Sequence, residues 1–332
     1  MMKNPLVYDD GSPPPGPYDA APQDPWFLPD DTAPPLTLSL HPPGDWHAAQ
    51  GALAADLARL ALLYGTLTER LRAGPQGWRH RLALMTAAQI SWASGDRVSP
   101  ERLALWEARH LSGAQDDAQG LTRAAWAFRR LMGTTPPQQD LAGFLARQGT
   151  AEDVTDLSAQ LADLAGLHPA TRAAAGTQLW QASGQPARCI EAAVLGARLA
   201  AEMAGPGFVP VTGSNGIGSG GIGSGGYGAP QAVLAVWLAG ALRETQGALL
   251  HLDRLRAWQH RAKTTLSGWQ GRTPLPLIHI LMAWPMVSAA MAETLTGANR
   301  STVQRNLTAL QATGLLREVT GQGRYRLWTA QL

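Results

Sequence analysis

Between residues 288 and 328 the chain reads SAAMAETLTGANRSTVQRNLTALQATGLLREVTGQGRYRLW, a stretch dense in side chains that donate hydrogen bonds in fixed directions. Arg300 and Arg305 lie close to Ser301, Thr302, Gln304 and Thr308. An arginine fork carries five N–H donors, a glutamine pairs a donor with an acceptor, and a hydroxyl does both. Such a set suits planar polar or anionic ligands. The element that must position it is a helix. Val303, Leu307 and Leu310 recur at i, i+4 and i+7, one apolar stripe for a core, and the polar residues fall largely off that stripe. Asn299 is a good N-cap, and Gly314 ends the helix before Leu315 and Leu316 return to the core.

A shorter helix precedes it. Ser288 can cap Ala289, Ala290, Met291 and Ala292, which are strong helix formers or small enough for close contact. Thr296-Gly297-Ala298 breaks that helix, with glycine supplying the positive φ that a tight turn needs. Beyond the second helix, residues 317–319 and 324–328 flank Thr320-Gly321-Gln322-Gly323 and read as a two-stranded hairpin with a basic tip. In its second half Tyr325 and Leu327 face one way, Arg324 and Arg326 the other. Residues 275–283 form a further helix, closed by Trp284-Pro285. Helix, turn, helix, basic hairpin: the arrangement resembles a winged helix-turn-helix. The resemblance covers residues 273–332. It implies that Arg300, Ser301, Thr302, Gln304 and Arg305 read base edges of double-stranded DNA, while Asn299, Thr308, Arg317, Gln322, Arg324 and Arg326 hold phosphate. A helical protein-interaction module of the same shape is the alternative.

The net charge of +2 hides an asymmetry: residues 241–332 hold eleven Arg or Lys against four Asp or Glu, or +7, so the remainder carries −5. A basic C-terminal part on a mildly acidic body suits a phosphate-backbone partner. Cys189 is the single cysteine, so no internal disulfide forms, and a buried free thiol is expected. The N-terminus carries no basic region followed by an apolar one, and no run approaches a membrane-spanning length. A cytoplasmic protein is the expectation.

Residues 1–44 contain twelve of the 24 prolines and read as a disordered or extended arm, with Trp26-Phe27-Leu28 inside it. A helical body follows over 45–212. Its spacing predicts helices over 45–72 (capped by Asp45), 78–93, 99–107 (opened by Ser99-Pro100-Glu101), 121–132, 140–148, 153–167, 169–182 and 190–204. Residues 213–229 are a glycine repeat. Gly216, Gly218 and Gly221 match a dinucleotide spacing only by composition, without a βαβ unit around them. A connecting helix over 230–272, broken near Gly247, then leads through a hinge at 271–276 into the C-terminal segment.

Three stretches of the body carry a second resemblance: GWRHRLALMTAAQISWASGDRVSPERLALWEA, LTRAAWAFRRL and IEAAVLGARLAAEMAGPGFVPV. With the helix-turn-helix behind them and its TGQGRYRLW ending, they are similar to a family of bacterial proteins that join a Fic-like helical region to a C-terminal helix-turn-helix. Fic proteins transfer AMP from ATP to a protein hydroxyl and use HPFxxGNGR. Here His168-Pro169 continues as Ala170-Thr171-Arg172, and Ser94 stands where the inhibitory glutamate usually precedes glycine. Base, phosphate anchor and brake are all missing, so His168 reads as a helix-start residue. No HExxH, no His-x-x-x-His pair, no G-x-S-x-G elbow and no GKS or GKT loop occurs, and Asp116-Asp117 reads as a solvated turn.

The expected fold is mainly α: a helical, Fic-like body plus a C-terminal winged helix-turn-helix. The expected function is sequence-specific DNA binding, in a transcriptional regulator without catalytic residues, cofactor or metal. The alternatives are a divergent Fic-like AMP transferase recruited by its helix-turn-helix, or a protein-interaction scaffold. A homodimer would match two half-sites, although no sustained heptad run marks one.

Overall fold

Helices poor in bulky side chains can approach one another closely, and the body is built on that property. The computed structural model describes residues 41–110, 117–145, 151–182, 188–205, 207–212, 228–269, 271–321 and 325–332. The expectations for the arm at 1–40, the glycine repeat at 213–227, Asp116, Gln322 and Arg324 lie outside these residues. The architecture is mainly α, with thirteen α-helices and one three-stranded sheet among the described residues.

The body comprises α1 (Pro43–Ala52), α2 (Ala54–Ala73), α3 (Gly77–Ala93), α4 (Pro100–Glu107), α5 (Ala118–Met132), α6 (Leu141–Leu145), α7 (Ala151–Asp163), α8 (Pro169–Ala182) and α9 (Arg188–Ala200). Helix α10 (Pro230–Leu266) is its spine. It packs against α1, α2 and α8 through one long stripe that includes Leu234, Trp237, Leu238, Ala241 and Leu252. Helices α8 and α9, rich in buried alanines such as Ala173 and Ala193, pack so closely that a Cβ on Gly196 would collide with the Thr177 hydroxyl. Small side chains here replace bulk with proximity.

The C-terminal part continues through α11 (Pro274–Ala283), β1 (Val287–Ser288), α12 (Ala289–Thr296), α13 (Arg300–Ala312), β2 (Leu316–Glu318) and β3 (Leu327–Ala330). The strands run antiparallel in the order β1-β3-β2, with Val287 opposite Trp328 and Leu316 opposite Ala330.

Several boundaries differ from the sequence expectation. The helix over 45–72 is two, because Leu53 leaves helical geometry at φ −111°, ψ 22°. Asp45 caps nothing. Pro43 occupies the first turn, where its missing N–H costs nothing, and Asp45 donates its own N–H to the Pro42 carbonyl. Helix α10 runs unbroken through Gly247, since burial of Thr245, Ala248 and Leu252 around it offsets the roughly 1 kcal/mol propensity cost of glycine. Helix α7 stops at Asp163 and α9 at Ala200, each followed by looser single turns. Residues 274–276 already belong to α11, with Pro274 buried in its first turn, so the hinge expected there is shorter. Cys189 is half-buried rather than buried.

Helix α11 packs on α3 and α10. A Cβ on Gly77 would lie 2.7 Å from Ala283 Cβ, so the two helix ends meet almost backbone to side chain. His80 is held between Phe128 and Trp284, with ring centroids 5.1 and 4.3 Å away. One residue on, the buried Arg81 donates from Nη1 to the carbonyls of Leu281 (3.0 Å) and Trp284 (3.1 Å), and from Nε to His251 Nε2 (3.0 Å). It serves as an arginine cap at the negative end of α11.

Burial pushes both histidines down to about 4 from 6.5, helped at His251 by the charges of Arg81 and Arg254. An unfolded chain takes up these protons as pH falls through 6.5, whereas the folded chain resists until about 4. Their contribution is therefore complete above 6.5 and lost as pH falls across that window, at up to about 1.4 kcal/mol per pH unit for each histidine. Thermal melts across it should show a falling midpoint whose slope is reduced in His80→Phe. An unchanged slope would place the acid sensitivity elsewhere.

Candidate nucleic-acid interface

Helix α13 is set by both its ends. At its start Asn299 Oδ1 accepts the Thr302 N–H at 2.9 Å, and Gly297 (φ +67°) turns the chain in from α12. Ser288 Oγ accepts the Met291 N–H at 3.1 Å and starts α12 in the same way. At its far end Leu315 donates its N–H to Leu310. Between them Val303, Leu307 and Leu310 are fully buried, so the opposite side must face outward. Arg300, Ser301, Gln304, Arg305 and Thr308 are all exposed along it, and Thr302 is half-buried at its edge.

These exposed groups are not equally free. Arg305 has neither an ion pair nor a hydrogen bond with a described residue, and Gln304 is likewise unengaged. Arg300 pairs through Nη1 with Glu293 Oε2 of α12 at 3.3 Å. Ser301 donates its hydroxyl to Asn299 Oδ1 at 2.9 Å, so the Asn299 side-chain carbonyl is committed to the cap.

The hairpin departs from expectation in extent. Strand β3 begins at Leu327 rather than Arg324, and its buried pair is Trp328 and Ala330. Tyr325 sits in the turn region at φ +58° and is 81% exposed. Pairing of β3 with β1 on its other side selects this register, because it buries the Trp328 indole at the centre of the sheet. Arg317 is exposed on β2. Arg326, expected on phosphate, donates from Nη2 to Gln311 Oε1 at 3.1 Å and lies 5.2 Å from the Trp328 ring centre. Gln311 Oε1 also accepts the Trp328 indole N–H at 3.2 Å, tying the sheet to α13.

Three residues that organise this face carried no assignment in the sequence reading. Glu318 accepts the Thr320 N–H at 2.8 Å, the Gly321 N–H at 3.1 Å and the Thr320 hydroxyl, which folds the start of the turn after β2. The Thr320 hydroxyl, with the backbone N–H groups and Arg326 behind it, holds the Glu318 carboxyl below its ordinary range. A Glu-x-Thr-Gly run is a turn signal visible in sequence. Gln311 and Glu293 had no such local signal.

In the body, His168 Nδ1 accepts the Ala170 N–H at 3.2 Å, so the ring starts α8 as expected. Asp117 lies in the turn before α5 with its side chain partly exposed, and there Arg102 grips both its oxygens, at 2.5 and 2.6 Å. Among the described residues no group of three or more His, Cys, Asp or Glu is placed to hold a metal ion, and no helix is long and apolar enough to cross a membrane. No protein-family model matches the chain, and a search of curated proteins gave no significant match.

Proposed function

We propose that this is a cytoplasmic, sequence-specific double-stranded-DNA-binding protein, a transcriptional regulator whose residues 273–332 act as a winged helix-turn-helix. The observation that carries this reading is the outward side of α13. Two arginines, a glutamine and two hydroxyls project from a helix seated by Val303 and Leu307, and Arg305 and Gln304 have no side-chain partner among the described residues. The element order helix, strand, helix, helix, strand, strand supports it, because a winged helix places its third helix in the major groove and its hairpin beside it. Arg300 and Arg305 pair with guanine, Gln304 with adenine, and Arg317 holds phosphate. The helical body is a non-catalytic, Fic-like scaffold. Support for that part comes from the missing HPFxxGNGR run and from a His168 ring nitrogen committed to its own helix start.

Binding measurements on a selected duplex and a scrambled one separate the two arginine roles. Arg305→Ala should weaken the selected duplex by about 1–3 kcal/mol more than the scrambled one. Arg317→Ala should weaken both alike and reduce the salt slope by about one. Identical behaviour of the two variants would overturn the assignment of base reading to α13.

A further inference from the structure

We infer that Glu293 is a specificity-determining positioning residue, which holds the Arg300 guanidinium for a base edge and withholds it from indiscriminate phosphate contact. The inference rests on the DNA-binding reading of α13. A carboxylate on a face that meets a polyanion opposes binding unless it has another task. Glu293 is partly exposed there and reaches across the turn between α12 and α13 to Arg300, Nη1 to Oε2 at 3.3 Å. Of the two outward arginines on α13, Arg305 has no such partner among the described residues.

Both ends of the pair are fixed by backbone geometry. The Glu293 carbonyl accepts the Gly297 N–H at 2.9 Å in the closing turn of α12. Arg300 is the first residue of α13, directly after the Asn299 cap. The αL turn at Gly297 thus brings the backbone of the two residues within reach of this pairing. With Nη1 committed, the Nε–Nη2 edge of the fork has no partner among the described residues. That edge supplies the two parallel donors that guanine O6 and N7 accept. A phosphate gains less, because the Glu293 charge neutralises the long-range attraction of Arg300 while leaving its short-range geometry intact.

The test is a mutant cycle over Glu293→Gln, Arg300→Gln and the double variant, with Kd measured on a selected and a scrambled duplex over a range of salt. Glu293→Gln should tighten scrambled DNA on the order of tenfold at low salt, steepen its salt slope by about one, and lower the preference for the selected duplex. In the Arg300→Gln background, where the carboxylate has no guanidinium to hold, the same change should tighten both duplexes alike and leave the preference between them unmoved. Thermal midpoints should stay level, since an exposed pair adds little to stability. Equal tightening of both duplexes in both backgrounds would mean plain charge repulsion and would overturn the inference alone. A wild-type protein that prefers no duplex would overturn the DNA reading and this inference with it.

Discussion

Trp258→Ala is expected to cost about 3–5 kcal/mol of folding stability and to abolish the DNA binding proposed for α13 at temperatures the native protein tolerates. The indole is wholly buried on α10, and its Nε1 donates to the Leu315 carbonyl at 2.9 Å, in the turn that closes α13. Truncation removes the largest side chain in this joint and leaves a cavity that rigid helices on either side cannot close. The hydrogen bond itself is the smaller part. Leu315 still accepts the Gln331 N–H at 3.0 Å, so its carbonyl is not orphaned. Trp258→Phe should therefore cost only about 1–2 kcal/mol and retain DNA binding. Urea unfolding of the three proteins, beside binding to a selected duplex, checks both statements. An alanine variant as stable as the phenylalanine one would mean that α10 does not seat α13.

Arg81→Ala should be nearly as damaging, about 3–5 kcal/mol, for a different reason. This guanidinium is buried and satisfies the carbonyls of Leu281 and Trp284 together with His251 Nε2. Burial lowers its pKa to about 10, so it remains charged at neutral pH and complements the negative end of α11. Its loss strips partners from two carbonyls in a site that water cannot readily fill. Arg81→Met fills most of the volume yet restores no donor, so it should recover only the packing share. A second readout separates this account from a general packing defect. The Arg81 charge is one cause of the low His251 pKa, after burial, so that value should rise towards 6.5 in Arg81→Met. A His251 titration that stays put would disconnect the two residues.

What was legible in the sequence was local. Ser99, Ser288 and Asn299 cap the helices they were expected to cap, because a cap reads only the backbone three residues ahead. The Val303, Leu307 and Leu310 stripe was visible for the same reason. What stayed hidden depends on partners distant in the chain. Strand β1 is two residues long and exists only because Trp328 and Leu327 pair with it. That pairing moved the start of β3 and turned Tyr325 out of the sheet. Nothing in the sequence beside Arg326, expected on phosphate, announces its hydrogen bond to Gln311. Arg81 drew no notice inside a helix, though its contacts 170 to 203 residues away join α3 to α10 and α11.

The central claim is that the outward side of α13 reads base edges, and selection of bound fragments from random double-stranded DNA by the purified protein tests it most directly. A short shared motif should emerge with the wild-type chain and lose definition at one position when Arg305→Ala replaces it. Fragments without any common motif, or the same motif at full strength from Arg305→Ala, would contradict the account.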